Sequence, residues 1–486
     1  MFTPKFISCL KKGYSAHDFF SDLRAGLSVG LISIPLALAF AIASGLTPEK
    51  GLFTAIVAGF LISFLGGSRV QIGGPTGAYV IVIYTIVQKY GYDGLALATL
   101  IAGCLLLILA IAKLGQWLKF IPYAVICGFT TGLALVLFSS QIKDFLGLNV
   151  SSLPAPFIER CKVLCSTLHT WNLAACVISV SSLIALFFLR SRFPKAPAAI
   201  LVVIFASVIA FSLQLPIETI ESKYGILPST LPIPSLPKIS WDNVVTVFPD
   251  AVTIAILGAI EALLSALVAD NKIGKRHNSN AELFAQGMAN IGSVLFGGLP
   301  ATGAIARTQA NIQLGAKTPF SGMIHALTIL VLMLFLAPWV SKIPLPVLSA
   351  VLIYVAWNMS DLPHFISILR SSKAEAALLL TSFFLTVLID LAVAVEVGVI
   401  ISALMFLKKV NDKLVIKSRL EGEVYVCEYV GPLFYASSES LLSHSVPSEA
   451  KMIVLDLSKA SLVDDAAHKA VETFKQKAKV PVTIKF

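Results

Sequence analysis

Long apolar runs recur along this chain from about residue 25 to residue 407. A helix needs roughly 20 apolar residues to cross the hydrocarbon core of a bilayer. The runs fall near 25–44, 49–66, 76–90, 94–114, 121–140, 171–189, 196–214, 247–269, 281–297, 303–314, 318–340, 345–360, 374–390 and 392–407, which predicts fourteen helices. The balance of residues agrees. Hydrophobic residues make up 57% of the 486, charged residues only 13%, and the mean hydropathy is +0.85. A single globular core stops growing near ~250–300 residues and has no room for so much apolar surface. A soluble enzyme, a secreted disulfide scaffold and a disordered chain are excluded. An α-helical polytopic membrane protein in a lipid bilayer remains.

The net charge is +10, from 37 Lys and Arg against 27 Asp and Glu. No basic run is interleaved with aromatic residues, so nucleic acid is not an expected partner. The charge instead sets topology. With an even helix count, the inner loops hold twelve basic residues and the outer loops eight, and Lys408, Lys409 and Lys413 add to the inner side. Both termini are therefore expected in the cytoplasm, and the protein in the plasma (inner) membrane. Residues 1–24 contain Lys5, Lys11, Lys12, Asp18, Asp22 and Arg24. They read as a cytoplasmic amphipathic segment, with no cleavable signal peptide. Trp117, Trp171, Trp241 and Trp339 fall near helix ends, as interfacial anchors do.

Seven cysteines are scattered, and only Cys161 and Cys165 are close in sequence. They lack the second pair that a zinc site needs, so no metal and no cofactor is expected beyond Na⁺ or H⁺ as a coupling ion. The chain shows no P-loop and no nucleophile elbow, so it does not read as an enzyme. His325 lies inside an apolar run beside Thr328 and reads as a hydrogen-bonded core residue.

Residues 25–410 form the expected transmembrane domain. The polar connection 215–246, rich in Pro and Ser, separates seven helices from seven. The halves echo each other. Phe64-Leu65-Gly66-Gly67 precedes Gly74-Pro75-Thr76-Gly77-Ala78, and Leu295-Phe296-Gly297-Gly298 precedes Pro300-Ala301-Thr302-Gly303-Ala304. Gly-rich breaks also serve tight helix packing. Broken segments at matching places in two halves, however, point to a transporter's central site.

A broken helix aims unbonded N–H groups and the positive end of its dipole into the protein, and these bind anions. Thr76, Gly77 and Ala78 form one such end, and Gly303, Ala304, Ile305 and Ala306 the other. Arg307 lies just beyond the second break, where an intramembrane arginine is costly and usually functional. Its competing role is an internal partner for Glu261. Glu261 is the other outlier, apolar on both sides, with Ser265 one turn on and on the same face. A carboxylate with a hydroxyl suits a proton or Na⁺; a structural ion pair is the alternative. Asp390 and Glu396, in a late apolar run, read as structural.

After Lys408 the chain turns polar. Strand-like runs at 424–429, 452–457 and 480–485 alternate with helical stretches at 437–444 and 466–476, a small cytoplasmic α/β module over 411–486.

The run Asp270-Asn271 … Asn280-Ala281-Glu282-Leu283 … Ala285-Gln286-Gly287 … Ala289-Asn290 … Gly297-Gly298-Leu299-Pro300-Ala301-Thr302-Gly303-Ala304-Ile305-Ala306-Arg307-Thr308 … Asn311 … Gly315-Ala316-Lys317-Thr318-Pro319 resembles the signature of the sulfate permease (SulP) family of anion transporters. Ile34-Pro35 … Ala39-Phe40-Ala41 … Gly45-Leu46 … Pro48 … Gly51-Leu52 resembles its first-helix signature, and Asp390-Leu391 … Val395 … Val397-Gly398 its last helix pair. The tail resembles the family's STAS domain.

The resemblance implies 7+7 inverted repeats, a core domain moving against a gate domain, and often a homodimer. It implies a small anion between helices 1, 3, 8 and 10, with Pro35, Leu36, Ala37 and Phe40 lining the site from helix 1. Thr76 and Gly77 would supply the helix 3 end, and Gly303 to Arg307 the helix 10 end. Glu261, Ser265 and Thr302 would couple a cation. The expected activity is secondary active transport of sulfate, with bicarbonate or dicarboxylate transport as alternatives. Uncoupled anion conduction and nucleobase transport on a related fold are the competing readings. Two departures stand out. Leu36 replaces the polar residue that many relatives carry after the helix 1 proline. Asp465 replaces a Ser or Thr phosphorylated in some STAS relatives, so that switch is not expected. The tail is also short, ending just after a strand.

Overall fold

The structure, a computed structural model, describes residues 3–485 apart from 12, 116–122, 151–152, 155, 194–197, 238–240, 389–396, 398–400, 402–406, 408–409, 412–413, 435–437, 443–445, 448, 463 and 479. It divides into two units, Met1–Gly398 and Val399–Phe486.

The first unit is helical. It begins with α1 (Lys5–Lys11), α2 (Ala16–Ala43), α3 (Pro48–Leu65), the two-residue strand β1 (Gly73–Gly74) and α4 (Gly77–Ile111). Then come α5 (Tyr123–Leu146), α6 (Phe157–Thr167), α7 (Leu173–Arg192), α8 (Ala198–Ser212) and α9 (Ile220–Tyr224). The second half holds α10 (Trp241–Ile273), α11 (Ser279–Leu295), β2 (Thr302–Gly303), α12 (Ile305–Gln313), α13 (Phe320–Val340), α14 (Leu345–Met359), α15 (Leu362–Leu369) and α16 (Lys373–Leu388). Among the described residues, eight helices are long and apolar enough to cross a membrane, and α8 is a shorter apolar one.

The structure bears on the sequence expectation at three points. First, α2 starts at Ala16, not near residue 25, because Ser15 caps it by accepting the Asp18 N–H at 3.1 Å. The amphipathic segment thus splits into α1 and the first turns of α2. Second, the helices expected at 76–90 and 94–114 are both present, within the range of α4 and on either side of a kink. They are parted only at Gly91, whose φ of 67° is the left-handed region that glycine tolerates. Third, the expected helix 392–407, which contains Glu396, lies almost wholly outside the described residues, as does Asp390 at the end of the helix before it.

Two packing groups are evident. Helices α2, α3, α4, α10, α11, α12 and α13 pack on one another, while α5 packs on α14 and α16, and α14 on α7. In the first group α11 acts as a spine. Glu282, Gln286 and Asn290 stand four residues apart on one buried face. Glu282 accepts the N–H groups of Gly67 and Ser68 at 3.0 and 3.1 Å, fixing the turn that leads to β1. Asn290 accepts the Ala301 N–H and donates to the Ala301 carbonyl, both at 2.9 Å, fixing the turn that leads to β2. These bonds satisfy backbone groups that would otherwise be orphaned in an apolar interior.

The second unit holds β3 (Val415–Glu421), β4 (Val424–Leu433), α17 (Ser438–Leu442), β5 (Met452–Leu462), α18 (Asp465–Lys477) and β6 (Val482–Lys485). The sheet order is β3-β4-β5-β6. β4–β5 and β5–β6 are parallel and joined through helices, as expected. Strand β3 was not expected. It is an almost wholly exposed edge without apolar alternation, paired to β4 through a tight turn at Gly422, where φ is 62°.

Candidate functional site

The two breaks meet at the centre of the first unit. β1 pairs antiparallel with β2, Gly73 opposite Gly303 and Gly74 opposite Thr302. Each strand runs straight into a helix, β1 into α4 and β2 into α12. Because the strands are antiparallel, the two helices leave the crossing in opposite directions, with both N-termini at it. The first N–H groups of each helix have no partner within the helix. Glycine is required here by close approach. A methyl group on Gly303 would collide with the Gln71 side chain, and one on Gly73 with Ile62.

Two charged side chains converge on residues 74–76. Arg307, in the first turn of α12, is 3% exposed. Its Nη2 donates to the Pro75 carbonyl, and its Nη1 lies against Gly74 with no hydrogen-bond partner. From the other side, the Thr76 hydroxyl donates to Glu261 Oε2 at 2.9 Å. Thr76 is the N-cap of α4, yet its side chain caps no backbone N–H. Its hydroxyl donates to Glu261, and no side chain among the described residues caps the first turn of α4. Among the described residues no ion pair joins Arg307 to Glu261, so neither neutralises the other by direct contact.

Helix α10 seats the crossing through three carbonyls spaced by four residues. Tyr79 donates to Ile254 at 2.8 Å, Thr302 to Gly258 at 2.9 Å and Gln71 to Ala262 at 3.1 Å. Ser265, fully buried, bonds Thr308 of α12 at 3.1 Å, and Thr308 accepts the Ile72 N–H at 3.0 Å. Glu261 therefore sits on a helix that braces the crossing, with the Thr76 hydroxyl as its partner among the described residues.

A model of the family described as "Sulfate permease family" matches residues 19–382. The chain belongs to the sulfate permease family. The protein named "Putative sulfate transporter YvdB" of Bacillus subtilis is 40% identical over 470 residues, 94% of this chain and 88% of that one. The bicarbonate transporter BicA of Picosynechococcus is 28% identical over 483 residues, 93% and 85% of the two chains. The solved transmembrane domain of a cyanobacterial BicA matches with a TM-score of 0.70 at 30% identity, covering 80% of this chain and 98% of that domain. Murine Slc26a9 shares the fold, with a TM-score of 0.87 at 21% identity over 99% and 87% of the two chains. This sulfate permease member is thus a polytopic membrane protein of an anion-transporter family, and its relatives are transporters rather than enzymes.

The expected site residues separate into those at the crossing and those beside it. Thr76, Gly77, Gly303, Ala304 and Arg307 are buried there, Ile305 is half-buried and Ala306 exposed. Phe40 brings its ring to Gly77. Pro35 and Ala37 are buried in α2, and the Ala37 carbonyl lies against Gly51 of α3. Leu36 is half-buried. Glu261, Ser265 and Thr302 do not bond one another; each holds a different partner. Arg307 anchors on the Pro75 carbonyl, not on Glu261. His325 is a core residue as expected, bonded to Ser33 at 2.8 Å. The sequence reading did not single out Gln71 or Tyr79, because a polar side chain bonding a helix carbonyl carries no spacing signal.

Proposed function

We propose that this protein is a secondary active transporter of a small inorganic oxyanion, sulfate first, working by alternating access coupled to H⁺ or Na⁺. The observation that carries the reading is the Nη1 of buried Arg307, without a hydrogen-bond partner among the described residues, set beside the uncapped N-terminus of α4 at the β1–β2 crossing. A buried guanidinium N–H without an acceptor is expensive, and an oxyanion supplies the acceptor. Each helix N-terminus adds about half a positive charge. Thr76, Gly77, Ala304 to Ala306 and Arg307 form the anion side, with Phe40 packed against it.

Glu261 forms the cation side, supported by Ser265 and Thr302. With Glu261 ionised, its negative charge opposes an incoming anion. A proton or Na⁺ on the carboxylate removes that opposition, so the two ligands bind together and cross together. The two packing groups serve as a core and a gate that move against each other. The family's dimeric assembly, a 7+7 repeat of fourteen helices, cytoplasmic termini and a STAS-type tail complete the proposed architecture.

Bicarbonate is the second reading, supported by the likeness to BicA, whose names state that substrate. The test is uptake of labelled sulfate and bicarbonate into proteoliposomes under imposed proton or sodium gradients. Accumulation driven by one gradient supports the proposal and names the substrate. Current without any cation requirement would show an uncoupled conductor.

A further inference from the structure

The N-terminus of α4 is covered by side chains from outside the crossing. A methyl group on Gly77 would meet Met359 Sδ at 2.8 Å, Phe40 Cε1 at 3.3 Å and Leu137 Cδ2 at 3.5 Å. Phe40 belongs to α2, in the same packing group as the crossing. Leu137 belongs to α5 and Met359 ends α14, both in the other group. None of the three offers a hydrogen-bond donor. Leu137 is fully buried. Met359 is half-buried, and its unbranched thioether chain can swing aside without a backbone movement.

We propose that Met359 and Leu137 determine specificity, by closing the anion seat with apolar surface that penalises strongly hydrated anions. This rests on the proposed anion seat at Arg307 and α4. The cost of stripping water from an ion rises with the square of its charge. The Arg307 side supplies fixed donors to a monovalent or a divalent oxyanion alike. The Met359 side supplies none, so whatever hydration is lost there is lost outright. The cover therefore narrows the advantage that the fixed positive charge gives a dianion such as sulfate over a monovalent oxyanion. Leu137 and Met359 bring the second packing group to Gly77, so their distance from it changes whenever the groups move. Selectivity is then exerted at the moment of closure.

The test compares kcat/KM for sulfate and bicarbonate in proteoliposomes of wild type, Met359→Gln and Met359→Leu. Gln has the length of Met but adds donors and an acceptor. The sulfate-to-bicarbonate ratio should rise about tenfold in Met359→Gln, carried mainly by KM, and stay within about twofold in Met359→Leu; tenfold corresponds to one charge-assisted hydrogen bond. A second readout is Met359→Cys labelled with a small methanethiosulfonate, against a wild-type baseline for the seven native cysteines. Saturating substrate anion should slow the labelling several-fold. Wild type that transports either anion, with an unchanged ratio in Met359→Gln or no protection in Met359→Cys, overturns this inference alone. Wild type that moves neither anion overturns the proposed function and this inference with it.

Discussion

The Thr76 hydroxyl donates to Glu261 Oε2 at 2.9 Å and so ties the first turn of α4 to the middle of α10, 185 residues away in sequence. One bond joins the helix end proposed to hold the anion to the carboxylate proposed to hold the cation. Anything that changes the charge on Glu261 changes what Thr76 is asked to donate to, and the α4 N-terminus registers it. The bond would give the proposed coupling a direct physical route.

Glu261→Gln keeps an acceptor for Thr76 and removes the titratable charge. Gradient-driven accumulation should vanish, leaving downhill exchange. A proton gradient of one pH unit stores 1.36 kcal/mol, about tenfold accumulation per proton. The wild type should approach that ratio, and the variant should stay at equilibrium, as tracer accumulation in proteoliposomes will read. Concentrative uptake by the variant would make Glu261 structural.

Arg307→Ala removes both the donor to Pro75 and the unpartnered Nη1. Hydrogen bonds to charged groups contribute about 1.5–3 kcal/mol, so kcat/KM should fall roughly 10- to 100-fold. Arg307→Lys keeps the charge without the planar fork and should recover only part of the loss. Equal losses for Lys and Ala would mean that the fork, not the charge, matters.

Thr76→Ser keeps the hydroxyl and should transport normally. Thr76→Val has the same shape but cannot donate to Glu261. Its cation dependence should weaken by about tenfold in half-saturating cation, the worth of one hydrogen bond to a charged group. Anion KM at saturating cation should change little.

Gly303→Ala places a methyl group in the Gln71 side chain and should displace the Gln71 bond to Ala262. Overpacking of a close-packed interior costs about 1–3 kcal/mol. The detergent-solubilised protein should show a Tm several degrees lower. Gly274→Ala, where φ is 65° but no atom lies within 4 Å, separates backbone strain from packing and should cost less.

In the second unit, Asp456 accepts the Ser458 N–H at 3.0 Å, the Ser458 hydroxyl and the Lys485 ammonium at 3.2 Å. The Ser458 bonds, and then Lys485, hold its carboxyl at about 2, below the ordinary 3.8. A depressed pKa stabilises the fold fully above the ordinary value and loses that contribution as pH falls toward 2. The protection of β5 and β6 amides against exchange in the full chain, relative to the intrinsic rate at each pH, should therefore hold at pH 4 and fall as pH drops toward 2. Asp456→Asn should be less protected than wild type at pH 4, and the difference should shrink as pH falls toward 2.

Much of this was legible in the chain. Apolar length gave the spanning helices, because a bilayer leaves backbone groups no other partner. Gly74-Pro75-Thr76-Gly77 and Thr302-Gly303-Ala304 marked the breaks, and Glu261 and Arg307 stood out as charges in apolar surroundings. The start of α2 was missed, since a cap at Ser15 outweighed the charge on Asp18 and Asp22. Strand β3 was missed, since an exposed edge strand carries no alternation.

By itself the sequence determined which residues are apolar, where helices must break and which charges are buried, since these follow from local composition and the bilayer. Only the tertiary structure decided partners. It set Gly73 against Gly303, gave Thr76 to Glu261 and Arg307 to Pro75, and brought Met359 over Gly77. Those pairings join residues far apart in the chain. They depend on how helices pack around a crossing, and no local spacing encodes that.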